Sequence, residues 1–107
     1  MAFFKGADLP SKIAGEGISR QAVYLDQVMM TFFHFAPGAI VPEHSHPHEQ
    51  ITTVTEGVLE FNLDGQVALL SAGDGVAVPA NLRHSARALD IPTKAIDAWH
   101  PVREDYK

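Results

Sequence analysis

The chain has 107 residues, no cysteine and a formal net charge of −5, with 46% hydrophobic and 20% charged residues. That length suits one domain with a core of its own, and the lack of cysteine excludes both a disulfide framework and a thiolate metal site. Only eight Lys and Arg argue against nucleic acid as a partner, whereas a small anion is compatible with an acidic total because the local field of a pocket governs its binding.

Residues 1–17 read as an N-terminal arm, in which Pro10, Gly15 and Gly17 discourage regular structure. Its start, MAFFKGADLPSKIAG, lacks a signal-peptide core, and no stretch of the chain approaches a membrane span. A soluble, unprocessed, cytoplasmic protein is expected. Phe3 and Phe4 invite docking, either onto the protein's own barrel or onto a second copy. From Ile18 to Phe35 the β-branched, aromatic and apolar residues suggest two strands joined by a turn at Asp26 and Gln27. Met29 to Phe35 is almost wholly apolar, which implies burial on both faces, against the core on one side and the arm or another subunit on the other. A homodimer follows as an expectation, since such a strand left bare would aggregate.

Pro37 and Gly38 turn the chain into Ile40–His46, within the run GAIVPEHSHPHEQITTVTEG. His44 and His46 are two apart, so on an extended strand they point to one side and can reach one ion. Pro47 ends that run and Gln50 opens a β-rich segment, so its carboxamide oxygen can join the imidazoles from a neighbouring strand. Glu56 and Gly57 make the next turn, before VLEFNL, where Leu59, Phe61 and Leu63 share a face. Asp64-Gly65 is a hairpin signal into QVALL. Ala72–Gly75 turns into VAVP, and Pro79–Asn81 turns into a strand over residues 83–89. Pro92 precedes the last strand, Thr93–His100. A weak helical periodicity over Asn81–Ala88 is overruled by its flanks. Eight or nine short strands describe an all-β sandwich or barrel.

His84 follows its turn closely enough to complete a metal set of His44, His46, Gln50 and His84 holding one divalent ion per chain. Imidazole donors suit zinc, nickel, iron and copper. Because every donor is neutral, the double charge of the ion stays uncompensated, which favours anionic ligands and Lewis-acid chemistry. His48 shares the parity of the pair, but Pro47 intervenes, so it belongs to a second layer or the rim. His34 and His100 read as structural, with His100 opposite in parity to Asp97 and Trp99. Asp97 inside a barrel is costly unless paired or functional. On the residues alone, an ordinary ion pair between Asp97 and Arg103, with Trp99 filling core, explains them at least as well as a site.

The spacing of Gly38, His44, His46, position 50 and Gly57 resembles the first cupin motif, and Gly73, Pro79 and His84 resemble the second. Two positions depart from that pattern: Gln50 stands where glutamate is usual, and Asn81 where glycine is usual. Glutamine still offers an oxygen, and asparagine is the next best residue for positive φ. The string HSHPHEQIT and the tail DAWHPVRED are similar to the KdgF-type pectin-degradation family, over roughly residues 16–107. The resemblance implies a single-domain cupin jelly-roll barrel over residues 18–107 with the metal in its mouth. It also implies a substrate pocket formed by Asp97, Trp99 and Arg103, where the family commonly has phenylalanine at the position of Trp99. Asp97 and Arg103 would be catalytic, with Trp99 and Arg103 binding substrate. The implied activity is a metal-dependent isomerase that converts 4,5-unsaturated monouronates, from pectin or alginate, to linear 5-keto-4-deoxyuronates. A cupin dioxygenase using the same ion and a non-catalytic sugar-binding module are the alternatives.

Overall fold

A computed structural model describes residues 3–107, so the first two residues of the expected arm, Met1 and Ala2, lie outside the described residues. Those described form ten strands: β1 (Lys12–Gly15), β2 (Ile18–Tyr24), β3 (Met29–Phe35), β4 (Ile40–His44), β5 (Glu49–Glu56), β6 (Val58–Leu63), β7 (Gln66–Ser71), β8 (Gly75–Val78), β9 (His84–Ala88) and β10 (Thr93–His100). Single 3-10 turns sit at Gly6–Asp8 and Glu104–Tyr106. The strands make a six-stranded sheet ordered β1-β2-β3-β10-β5-β8 and a four-stranded sheet ordered β4-β9-β6-β7, with every pairing antiparallel.

Period-two alternation sets what each sheet turns inward. On β5 the inward residues are Gln50, Thr52 and Val54, and on β10 they are Thr93, Ala95, Asp97 and Trp99. The register aligns these into layers across the sheet. Trp99 lies opposite Gln50 and Met29, Asp97 opposite Thr52 and Thr31, and Ala95 opposite Val54 and Phe33. One end of the interior is therefore polar. The rest is an apolar core in which Val54, Leu59, Phe61, Ala88 and Ala95 join the two sheets, and each large side chain buried there contributes about 1.5–3 kcal/mol.

The hairpin at Asp64-Gly65 has both residues at positive φ, +49° and +92°, as a two-residue turn between twisted strands requires. Asn81 adopts φ +68°, so it fills the place where the cupin pattern has glycine. His84–Ala88 is a strand, and the weak helical period over it has no structural counterpart.

One expectation changes. Lys12–Gly15, read as irregular arm, is an edge strand paired to β2, because Ile13 and its neighbours find a ladder partner that local composition does not reveal. The β3 strand buries Met29, Thr31 and Phe35 but leaves Met30 42% exposed, so a single chain covers its outer face only in part. Phe4 shields part of the other, its ring centroid 6.4 Å from that of Phe32.

Gly57 holds the β5–β6 turn at φ +79°, and a Cβ there would collide with Thr93 Oγ1 and the Pro92 carbonyl. Gly38 has a similar φ of +77° but open space around it. Gly57→Ala should therefore cost about 3 kcal/mol or more, a left-handed alanine plus a forced shift, whereas Gly38→Ala should cost only about 1–2 kcal/mol. Urea denaturation of the two variants measures the difference, and equal losses would refute the packing account.

Candidate metal centre

The metal-ligand candidates converge at the polar end. His44 ends β4, His84 begins β9, and the two face each other in register. His46 lies past the end of β4 rather than on it, and is brought in by its loop, where the Asn81 amide donates to the His46 carbonyl at 2.7 Å. The ligand atoms of His44, His46 and His84 lie within 4.8 Å of one another. Gln50 joins them, with Oε1 3.1 Å from His46 Nε2.

Each imidazole has its Nδ1 against a backbone carbonyl two residues away: His44 to Pro42 at 2.7 Å, His46 to His48 at 3.0 Å and His84 to Leu82 at 2.8 Å. A carbonyl only accepts, so Nδ1 carries the proton in all three rings and Nε2 keeps its lone pair. Those lone pairs meet. His46 Nε2 is 3.2 Å from His84 Nε2 as well as close to the Gln50 oxygen. Acceptors this near repel unless a cation lies among them, and a set of three nitrogens and one oxygen fits a divalent ion. Burial lowers the pKa of His46 and His84, against opposing hydrogen bonds to the His48 and Leu82 carbonyls, so both rings stay neutral and able to ligate at neutral pH.

A buried hydrogen-bond chain runs behind the ligands. Gln50 Nε2 donates to Thr52 Oγ1 at 2.8 Å, and Thr52 donates to Asp97 Oδ1. Thr31 donates to Asp97 Oδ2 at 3.3 Å and accepts from Trp99 Nε1 at 2.9 Å. Asp97 is 5% exposed. Its burial pushes the pKa from 3.8 up to about 6, although Thr52, Thr31, Gln50 and the Arg103 charge all pull it down.

A pocket of about 140 Å³ is lined by His44, Gln50, His84, Asp97, Trp99 and Tyr106, with apolar residues of the barrel floor beyond. Asp97 and Arg103 make no ordinary ion pair. Arg103 grips Asp105 with Nε and Nη2 at 3.3 and 2.9 Å, donates from Nη1 to Tyr106 Oη at 3.0 Å, and lies across the Trp99 ring at 4.9 Å. These bonds use three of the five guanidinium N–H groups. His48 lies beside Trp99, their ring centroids 6.4 Å apart, and its carbonyl is the one that fixes His46. His100 faces outward and His34 is half-buried on the outer side of β3.

Sequence reasoning missed Thr31, Thr52 and Tyr106. Thr52 had a usable signal, since it shares parity with Gln50 on one strand. Tyr106 had none, because a 3-10 turn in the tail brings it back onto Trp99, ring centroids 5.5 Å apart.

Proton competition sets the expected metal behaviour. At about pH 7.5 the protein should carry about one divalent ion per chain, and acidification should release it once the pH falls below the ordinary histidine value of ~6.5. Without metal, the depressed His46 and His84 values contribute stability that is present above ~6.5 and is lost as pH falls through their folded values. Elemental analysis after desalting across a pH series measures occupancy, and undiminished occupancy near pH 4 would contradict the site.

Comparison with known proteins agrees with this geometry. The cupin-domain family profile matches residues 31–99. The pectin degradation protein KdgF of Dickeya dadantii is 33% identical over 106 residues, covering 97% of this chain and 96% of that protein. The structure of KdgF from a Halomonas species superposes with a TM-score of 0.94 at 31% identity, covering 100% of this chain and 99% of the other. An RmlC-like cupin from Shewanella frigidimarina also gives 0.94 at 31% identity, covering 100% and 96%. With the profile lying over both histidine stretches and the likeness to KdgF running end to end, the chain belongs to the cupin family and, within it, to the KdgF-type proteins.

Proposed function

We propose that this protein is a metal-dependent isomerase that opens 4,5-unsaturated monouronates, released from pectin or alginate, to linear 5-keto-4-deoxyuronates. The observation that carries the reading is the placement of a buried carboxyl with a pKa near 6, Asp97, in the same pocket as the convergent imidazole and carboxamide donors. The name of the Dickeya relative, a pectin degradation protein, supports the pathway.

The reaction moves one proton. The hydroxyl at carbon 1 loses its proton, the bond from carbon 1 to the ring oxygen breaks, and carbon 4 gains a proton as the enol becomes a ketone. Asp97 suits both ends of this transfer, because a carboxyl with a pKa near 6 accepts and returns a proton near neutrality at little cost. A divalent ion held by His44, His46, Gln50 and His84 would supply charge relief to substrate oxygens. Trp99 and Tyr106 wall the pocket against the sugar ring. Arg103, with two N–H groups beyond those given to Asp105 and Tyr106, is suited to the substrate carboxylate at the rim.

A second copy of the chain is the proposed partner. In register across the outer face of the six-stranded sheet run Val23, Met30, Ala98, Ile51 and Ala77, an apolar row in which Ile51 is 58% exposed.

With an unsaturated monouronate as substrate, enzyme should speed the loss of its alkene absorbance in the ultraviolet, and a rate equal to the buffer rate would overturn the proposal. Asp97→Asn keeps the shape and removes the proton carrier, so kcat should fall about 100-fold or more, near 3 kcal/mol of barrier, while metal content holds. Near-normal turnover in that variant would make Asp97 structural. Arg103→Lys keeps the charge without the planar fork and should raise KM more than it lowers kcat. Light scattering should give a dimer that Met30→Glu dissociates, and a wild-type monomer at high concentration would remove the interface.

A further inference from the structure

The hydroxyl of Thr52 joins two functional groups. It accepts from Gln50 Nε2 at 2.8 Å and gives its own proton to Asp97 Oδ1. A threonine hydroxyl has one proton, and an ionised carboxylate can only accept. Asp97 takes that proton, which leaves Thr52 Oγ1 an acceptor towards Gln50. Gln50 must then turn its NH₂ group to Thr52, and its oxygen falls on the side of His46 Nε2, 3.1 Å away. Flipped the other way, the amide would offer its N–H groups to the imidazole lone pairs. It would satisfy them by hydrogen bonding and deny a cation its oxygen donor.

We propose that Thr52 is a positioning residue: its hydroxyl, oriented by Asp97, locks the Gln50 carboxamide with oxygen towards His44, His46 and His84. The proton-carrying group and the metal donors are then joined through one side chain. Both Asp97 oxygens accept from threonines, which matches an ionised carboxylate, and Thr52 is 3% exposed, so water does not substitute for it readily. The inference rests on the metal-donor reading of His44, His46, Gln50 and His84 and is independent of which sugar is the substrate. It is also consistent with the metal retention expected of Asp97→Asn, since the new amide oxygen can still accept from Thr52.

The test is a double-mutant cycle read as zinc affinity of the metal-free full-length chain, by competition with a chromophoric chelator and with no sugar present. Thr52→Val should weaken binding about 10–100-fold, the usual effect of losing a group that orients a ligand, and Thr52→Ser should bind as wild type does. In a Gln50→Glu background both side-chain termini are oxygen, so there is no wrong flip to prevent. There Thr52→Val should lower affinity by no more than about twofold. Equal losses in the two backgrounds would show that Thr52 acts through packing alone, and no loss with Gln50 present would show that it does not orient the amide. Either result overturns the proposal. Should Thr52→Val not fold without metal, Thr52→Ala is read in the same two backgrounds against the same outcomes. A protein that follows this cycle yet leaves unsaturated uronates unchanged would lose its proposed function and keep its Thr52 assignment, and one that isomerises them without the cycle would do the reverse.

Discussion

Three backbone carbonyls govern this site. The carbonyls of Pro42, His48 and Leu82 each accept from the Nδ1 of an imidazole two residues away, so three Nε2 atoms keep their lone pairs, and that of His46 meets both His84 Nε2 and the oxygen of Gln50. Neutral nitrogen and oxygen acceptors gathered in this way suit a metal cation as their common partner. The surrounding fold keeps this arrangement from relaxing. The β4–β9 register sets His44 against His84, the β5–β10 register sets Gln50 against Trp99, and the positive φ of Asn81 lets its amide hold the His46 loop.

The polar end of the barrel costs stability that the apolar end offsets. Raising Asp97 from 3.8 to about 6 corresponds to roughly 3 kcal/mol at neutral pH. That stability is present below about pH 4, where the carboxyl is protonated folded or unfolded, and is lost as pH rises to about 6. A buried carboxyl shifted this far marks a candidate functional position. The core between the sheets, with Val54, Leu59 and Ala88 almost wholly inaccessible, supplies the opposing term, and the tight approach of Gly57 to Pro92 and Thr93 lets the sheets close over it. The polar layer and the apolar core thus share the same strands, two residues apart at Thr52 and Val54.

Most of the strand plan was legible because it rests on local physics. The alternation in VLEFNL, the Asp64-Gly65 turn and the bounds of Thr93–His100 each follow from the residues concerned. The histidines and Gln50 were legible through spacing, and Asn81 through its tolerance of positive φ. What was not legible depended on register. Thr31 is a bland strand residue until β3 flanks Asp97, and Thr52, though it shares parity with Gln50, meets Asp97 only through the β5–β10 register. Arg103 shows the same limit, since charge alone matched it with Asp97, while the tail turn supplied Asp105 and Tyr106 instead. Lys12–Gly15 became a strand for the equally non-local reason that β2 offered an open edge.

The most direct test of the account is anomalous diffraction from crystals loaded with one equivalent of zinc. A single strong peak is expected, bound by Nε2 of His44, His46 and His84 at ~2.0–2.1 Å, with Gln50 Oε1 completing the set and each Nδ1 still donating to its carbonyl. Ligation through Nδ1, a Gln50 nitrogen facing the ion, or a principal peak elsewhere on the chain would contradict it.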